Sequence, residues 1–132
     1  MLGDNIKTAR KNKCMTQEEL EQLEKAMKDF EDAVETDDIK RIAQTDMIFH
    51  DIIYQATRNP KLVNILNNLR EQMYRYRVEY LKDETNYPML LKEHQEIFEG
   101  FTVRNKELVT DAMCRHVENQ AVAVKTMIQN QV

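Results

Sequence analysis

Glycine and proline are nearly missing: there are two of each in 132 residues, about 3% of the chain where about 12% is usual. The many tight turns of a β-sandwich or an α/β sheet draw on those residues. Both classes are therefore excluded, and an all-α bundle remains. Long apolar runs are absent too, and no stretch approaches the roughly 18 consecutive apolar residues of a membrane span. Cysteine is limited to Cys14 and Cys114, far apart and without CxxC spacing, and no apolar signal segment opens the chain. The expectation is a cytoplasmic protein with reduced thiols. Positive charge is in deficit, with 19 Lys and Arg against 23 Asp and Glu and a net charge of −4. That is the wrong sign for a chain that binds DNA by itself.

What is present suits one helical domain: 42% hydrophobic and 32% charged residues, at a length that buries a single core. About six helices are predicted. Residues 6–10 read as the tail of a longer helix. Thr16-Gln17-Glu18-Glu19 is a capping box, opening a helix to about Glu35 with Leu20, Leu23, Met27, Phe30 and Val34 at helical spacing. Asp37 is the predicted cap of the next, which carries Ile39, Ile42, Ala43, Phe49, Ile53 and Ala56 and stops before Asn59-Pro60. Asn59 caps a fourth helix with proline at its first position, and Leu62, Leu66, Leu69, Met73 and Tyr80 form its stripe. A fifth carries Leu90, Leu91, Ile97, Phe98 and Phe101. The last buries Val109, Ala112, Met113, Val117, Val124 and Met127.

All three histidines fall on or beside these inward stripes. His94 lies within the arc of Leu90, Ile97 and Phe98, and His116 within that of Ala112, Met113 and Val117. His50 stacks one turn above Asp46, on the shoulder of Ile42, Phe49 and Ile53. A single inward histidine is ordinarily a core residue whose hydrogen bonds are met. Burying three imidazoles and a carboxylate without partners would cost about 1–3 kcal/mol for each unsatisfied group, and a divalent metal is an economical partner for all of them. Spacing alone leaves both readings open. Ferritin-like Glu-x-x-His pairs, the His-Glu-x-x-His of zincins, a nucleophile elbow and a glycine-rich phosphate loop are all absent from the sequence.

The succession Asp46-Met47-Ile48-Phe49-His50, Asn59-Pro60-Lys61-Leu62, Glu93-His94-Gln95-Glu96-Ile97 and Ala112-Met113-Cys114-Arg115-His116 resembles the FCD effector domain of bacterial GntR-family transcription regulators, from about residue 6 to the end. The resemblance implies an antiparallel helical bundle with a central metal and ligand cavity. Its metal ligands would be Asp46, His50, His94 and His116, with zinc the first choice of ion and nickel or manganese next. It further implies a homodimer that reaches DNA only through a winged helix-turn-helix domain lying outside residues 1–132. The first helix of the domain is expected to be truncated, and with it an arginine that often faces the ligand. Gly100 stands where the family usually has alanine, and Asn105 where it usually has an aspartate cap.

Three imidazoles and one carboxylate would leave a divalent ion a local charge of about +1 and, if it is octahedral, two open positions. A small carboxylate effector fits that vacancy, read by an arginine fork. Arg70 and Arg77 are the candidates, against the alternative that each lays its stem on the core and keeps its head in water. Tyr74, Tyr76 and Tyr80 could add hydroxyl donors, and Met47, Met73, Met89 and Met113 either line the pocket or fill the core. Cys114 is assigned no role. Two rivals to the sensing domain are a metal-dependent hydrolase or lyase with Glu93 or Glu96 as base, and a metal-free helical interaction module. On the first, Glu93 and Glu96 are expected on the solvated face. The sensing reading makes the chain not an enzyme and gives it no membrane partner.

Overall fold

The computed structural model describes residues 15–130, which fold into six α-helices and one short 3-10 turn; no strand occurs among them. The helices are α1 (Gln17–Val34), α2 (Ile39–Ala56), α3 (Pro60–Asn68), α4 (Arg70–Leu81), α5 (Tyr87–Thr102) and α6 (Lys106–Asn130). Residues 6–10, Cys14 and the side chains of Val124 and Met127 lie outside the described residues. No described helix is long and apolar enough to cross a membrane.

Local chemistry sets the helix ends. Thr16 accepts from the Glu19 amide at 3.1 Å while Glu19 accepts from the Thr16 amide at 2.9 Å, completing the capping box. Asn59 caps α3 with Pro60 at its start, and Asn105 Oδ1 accepts from the amides of Glu107 and Leu108 at the start of α6. The cap of α2 is Asp38, not Asp37 as the sequence suggested. Asp37 instead takes a left-handed conformation, φ 56°, in the turn after α1. Arg58 and Arg104, at φ 51° and 55°, do the same after α2 and α5. So few glycines suffice because side-chain-bearing residues occupy the left-handed positions, and the surrounding bonds offset the strain. The Arg104 amide donates to Phe101 and that of Asn105 to Gly100, the paired bonds of a Schellman motif. The guanidinium of Arg104 then donates to the Met15 carbonyl at 2.6 Å.

The fourth predicted helix is two helices. It turns at Leu69 (φ −93°, ψ 0°), whose amide is shared between the carbonyls of Ile65 and Leu66. The break lets α4 follow the core while α3 leaves it. None of the α3 residues is buried, and Leu62 and Leu69 of the expected inward stripe are exposed, by 37% and 42%. Val117 of α6, also expected inward, is 59% exposed.

α1 packs on α2, α5 on α6, and α4 on both α2 and α6, with α1 also against α5. Two apolar clusters result. Leu20, Leu23, Met27, Phe49, Ile53 and Ile97 belong to one, and Phe30, Ile42, Tyr80, Leu81, Tyr87 and Leu90 to the other. Each fully buried large side chain contributes about 1.5–3 kcal/mol. The turn between α4 and α5 is tied down from both sides: Asn86 Nδ2 donates to the Tyr80 carbonyl and the Tyr87 hydroxyl to the Leu81 carbonyl, each at 2.9 Å.

Gly100 faces the start of α6, where an added Cβ would lie 2.8 Å from Val109 Cγ2 and 3.2 Å from the Val109 backbone nitrogen. Alanine here should therefore forfeit its usual helix advantage of about 1 kcal/mol and destabilise the fold by about 1–2 kcal/mol through overpacking. Urea unfolding of Gly100→Ala, and of the same change combined with Val109→Ala, checks this. The double variant should be less unstable than the sum of its parts.

Candidate metal centre

The four predicted ligands meet at the seam between the two apolar clusters. Asp46 and His50 come from α2, His94 from α5 and His116 from α6, and all four are buried. The stacking is aromatic: Phe49 lies parallel to the His94 ring at 4.3 Å between centroids, Phe30 tilts against it at 4.5 Å, and His50 stacks on His116 at 5.0 Å. These contacts fix the ring planes, and i, i+4 spacing on α2 places Asp46 beside His50.

Donor atoms converge. His50 Nε2 is 3.2 Å from His116 Nε2 and 3.3 Å from Asp46 Oδ1, and His94 Nε2 is 2.8 Å from Asp46 Oδ1. One ligand atom from each histidine lies within 4.8 Å of the others. Bonds of about 2.0–2.1 Å to one ion, meeting at about 90–109°, would leave donors about 2.9–3.4 Å apart, so these separations suit coordination. The hydrogen-bond balance points the same way. Both oxygens of Asp46, both ring nitrogens of His94 and Nδ1 of His50 are buried without a well-formed hydrogen bond. So is Arg77 Nε, which faces Asp46 Oδ2 and answers part of this demand; a cation would satisfy the lone pairs that remain.

Electrostatics keep His50 and Asp46 in their ligating forms. Burial pulls His50 down to about 4, only partly offset by Asp46, so its ring is neutral at pH 7. For Asp46 burial alone would raise the value, but His50 and Arg77, with hydrogen bonds from His50 and His94, outweigh it and hold the carboxyl well below the ordinary range. Arg77 is 8% exposed, and its Nε faces Asp46 Oδ2.

Arg77 also lines a cleft of about 600 Å³ between α4 and α6, with Met73, Tyr80, Val117, Gln120 and Lys125. Gln120 Nε2 stands 3.4 Å from His116 Nε2, so the cleft adjoins the cluster. Burial, then the charges of Glu93 and Asp46, push the Tyr80 hydroxyl up to about 12, and it stays protonated at neutral pH. Arg70 goes elsewhere. It makes a two-pronged pair with Asp51 at 3.1 and 2.9 Å at the surface, beside a gap of about 20 Å³ that His50 and Arg77 also line, and it borders a separate cleft of about 480 Å³ with Met47 and Tyr74. Of the methionines, Met73 lines the cleft and Met89 is exposed, as is the thiol of Cys114.

Glu93 corrects the sequence reading. Expected on the solvated face, it is 5% exposed, its Oε2 against His116 Nδ1 and its Oε1 accepting from Asn119 Nδ2 at 2.8 Å. Leu90, Glu93, His94 and Ile97 stand at i, i+3, i+4 and i+7, so Glu93 belongs to the stripe that placed His94 inward. Glu96 is partly exposed and pairs with Arg115 at 3.3 Å.

The FCD domain family model matches residues 10–119. An uncharacterized HTH-type transcriptional regulator YdhC of Bacillus subtilis (strain 168) is 25% identical over 115 residues, 86% of this chain and 51% of that protein. The chain thus spans about half the length of the curated relative it matches. No solved structure matches.

An acid-labile core follows for the metal-free protein. A histidine of value about 4 when folded and about 6.5 when unfolded contributes stability that is complete above pH 6.5 and lost as the pH falls through 4, on the order of 3 kcal/mol. Asp46, depressed in the fold, adds to the loss below its own unfolded value. Urea titrations of metal-free protein from pH 7 to 4 should show this decline, and His50→Gln should flatten it.

Proposed function

Because the chain belongs to the FCD domain family, we propose that it is the effector-sensing domain of a GntR-family transcription regulator, a single ligand-binding unit over residues 1–132 that holds a divalent metal ion and a small carboxylate. The observation that carries this reading is the convergence of Asp46, His50, His94 and His116 in a buried seam where the Asp46 oxygens and ring nitrogens of His50 and His94 lack well-formed hydrogen bonds, beside a cleft whose charged lining residues are Arg77 and Lys125. Those four residues would hold the ion, with zinc the first choice and nickel and manganese also suited to the ligand set. When bound, the ion supplies a positive centre to which a carboxylate can attach.

The protein's own part is orientation. Asp46 engages Nε of Arg77, which leaves the rest of the planar fork for an effector carboxylate. Gln120 and the protonated Tyr80 hydroxyl add polar groups along the cleft. Arg70 could serve only by releasing Asp51. An effector that touches Arg77 on α4 and Gln120 on α6 ties those helices together, and its unequal affinity for two arrangements shifts the population between them. In the whole regulator, a cytoplasmic homodimer on this reading, that shift would move winged helix-turn-helix domains lying outside this chain. Catalysis is disfavoured because the carboxylate nearest the cluster, Glu93, already accepts at both oxygens.

Elemental analysis of purified protein should find about one divalent ion per chain. Chelation should lower the melting temperature, and His94→Ala should abolish retention of the ion. In thermal-shift assays small carboxylates should stabilise the metal-loaded protein and be recovered unchanged. A chain without stoichiometric metal, indifferent to chelator, would be an interaction module instead.

A further inference from the structure

Within the buried seam one acidic side chain is left over once the four ligands are counted. Glu93 precedes His94 on α5 yet addresses a different helix, since its Oε2 accepts from Nδ1 of His116 on α6. The second oxygen accepts from Asn119 Nδ2 at 2.8 Å, three residues beyond His116 on the same helix. Asn119 is itself exposed and also lies 3.9 Å from Met89 Sδ. The carboxylate is thus gripped from the surface side by an amide that can only donate there, and presents its other oxygen to the imidazole.

We propose that Glu93, anchored by Asn119, is the positioning residue of the cluster: it holds the proton of His116 on Nδ1 and so keeps Nε2 free of a proton and aimed at His50 Nε2, 3.2 Å away. An imidazole has two tautomers, and the hydrogen bond made by one nitrogen decides which nitrogen is free to ligate. His116 has the strongest such constraint of the three histidines, because Nδ1 of both His50 and His94 lacks a partner. Those two rings are held instead by aromatic contact and by Asp46. His116 sits on α6, whose contacts with the bundle run through α5 and α4, so the Glu93 bond also joins the helix that supplies His94 to the helix that supplies His116.

The value of this bond to metal binding rests on the reading of the cluster as a metal site, whereas its effect on the ring does not. The test therefore uses two readouts. In metal-free protein, nitrogen chemical shifts of the His116 ring should show a single tautomer with the proton on Nδ1. Glu93→Ala should lose that preference, and Glu93→Gln, which keeps an acceptor oxygen, should restore it. Titration with zinc against a competing chelator should give an affinity 10–100-fold lower for Glu93→Ala, the range expected when a ligand's outer partner is removed, with partial recovery in Glu93→Gln. Because Asn119 is exposed, Asn119→Ala will fold even if Glu93→Ala does not, and it should show a smaller loss in the same direction.

A wild-type ring with its proton on Nε2, or a folded Glu93→Ala or Asn119→Ala protein with unchanged tautomer and unchanged zinc affinity, would overturn the proposal. Absence of zinc binding by the wild type would instead overturn the metal reading, and the tautomer measurement would still decide the role of Glu93.

Discussion

The constraint on which the rest depends is the burial of Asp46. A carboxylate removed from water costs several kcal/mol unless its charge is met, and here it is met from three directions by Arg77, His50 and His94. Each partner arrives on a different part of the chain: Arg77 on α4, His94 on α5 and His50 one turn along α2. The carboxylate therefore selects the arrangement of three helices at once, and an arrangement that omitted any one of them would leave charge or lone pairs uncompensated in the core.

Apolar packing supplies the stiffness that this polar arrangement lacks. Phe30 and Phe49 belong to separate clusters and press on His94 from two sides. The hydrogen bonds of Asn86 and Tyr87 fix the turn between α4, which carries Arg77, and α5, which carries His94, so that both reach Asp46. On the other side of His94, Gly100 permits close approach of Val109 and so sets how near α6 runs to α5. The separation of His94 from His116 is thus governed by residues that touch neither ring.

Much of this could be read from residue order. The capping box at Thr16, the Asn59-Pro60 start and the inward phases of Asp46, His50, His94 and His116 are short-range signals, and they are found where the periodicity put them. The motif order was enough to identify the FCD family. What escaped was of two kinds. The break at Leu69 has no glycine or proline to mark it; it arises because α4 must turn to bring Arg77 to Asp46, a tertiary demand invisible in a continuous apolar stripe. For the same reason Leu62 and Leu69 read as core yet face outward. Glu93 escaped for the opposite reason. Its phase was legible, but a charged residue at an inward position is ordinarily reassigned to the surface, and only the proximity of His116 and Asn119, more than twenty residues later, makes its burial tolerable.

The two arginines show how such partners decide function. Arg70 and Arg77 share a face by spacing, seven residues apart, and nothing in the sequence separates them. In the fold Arg70 meets Asp51, a carboxylate with a solvated side, and the pair stays at the surface, where it is worth little. Arg77 meets Asp46, which has no access to water, so its guanidinium is drawn inward and becomes part of the wall of the cleft. Burial of the acid, and not the identity of the base, distinguishes the arginine drawn into the cleft wall from an ordinary surface one.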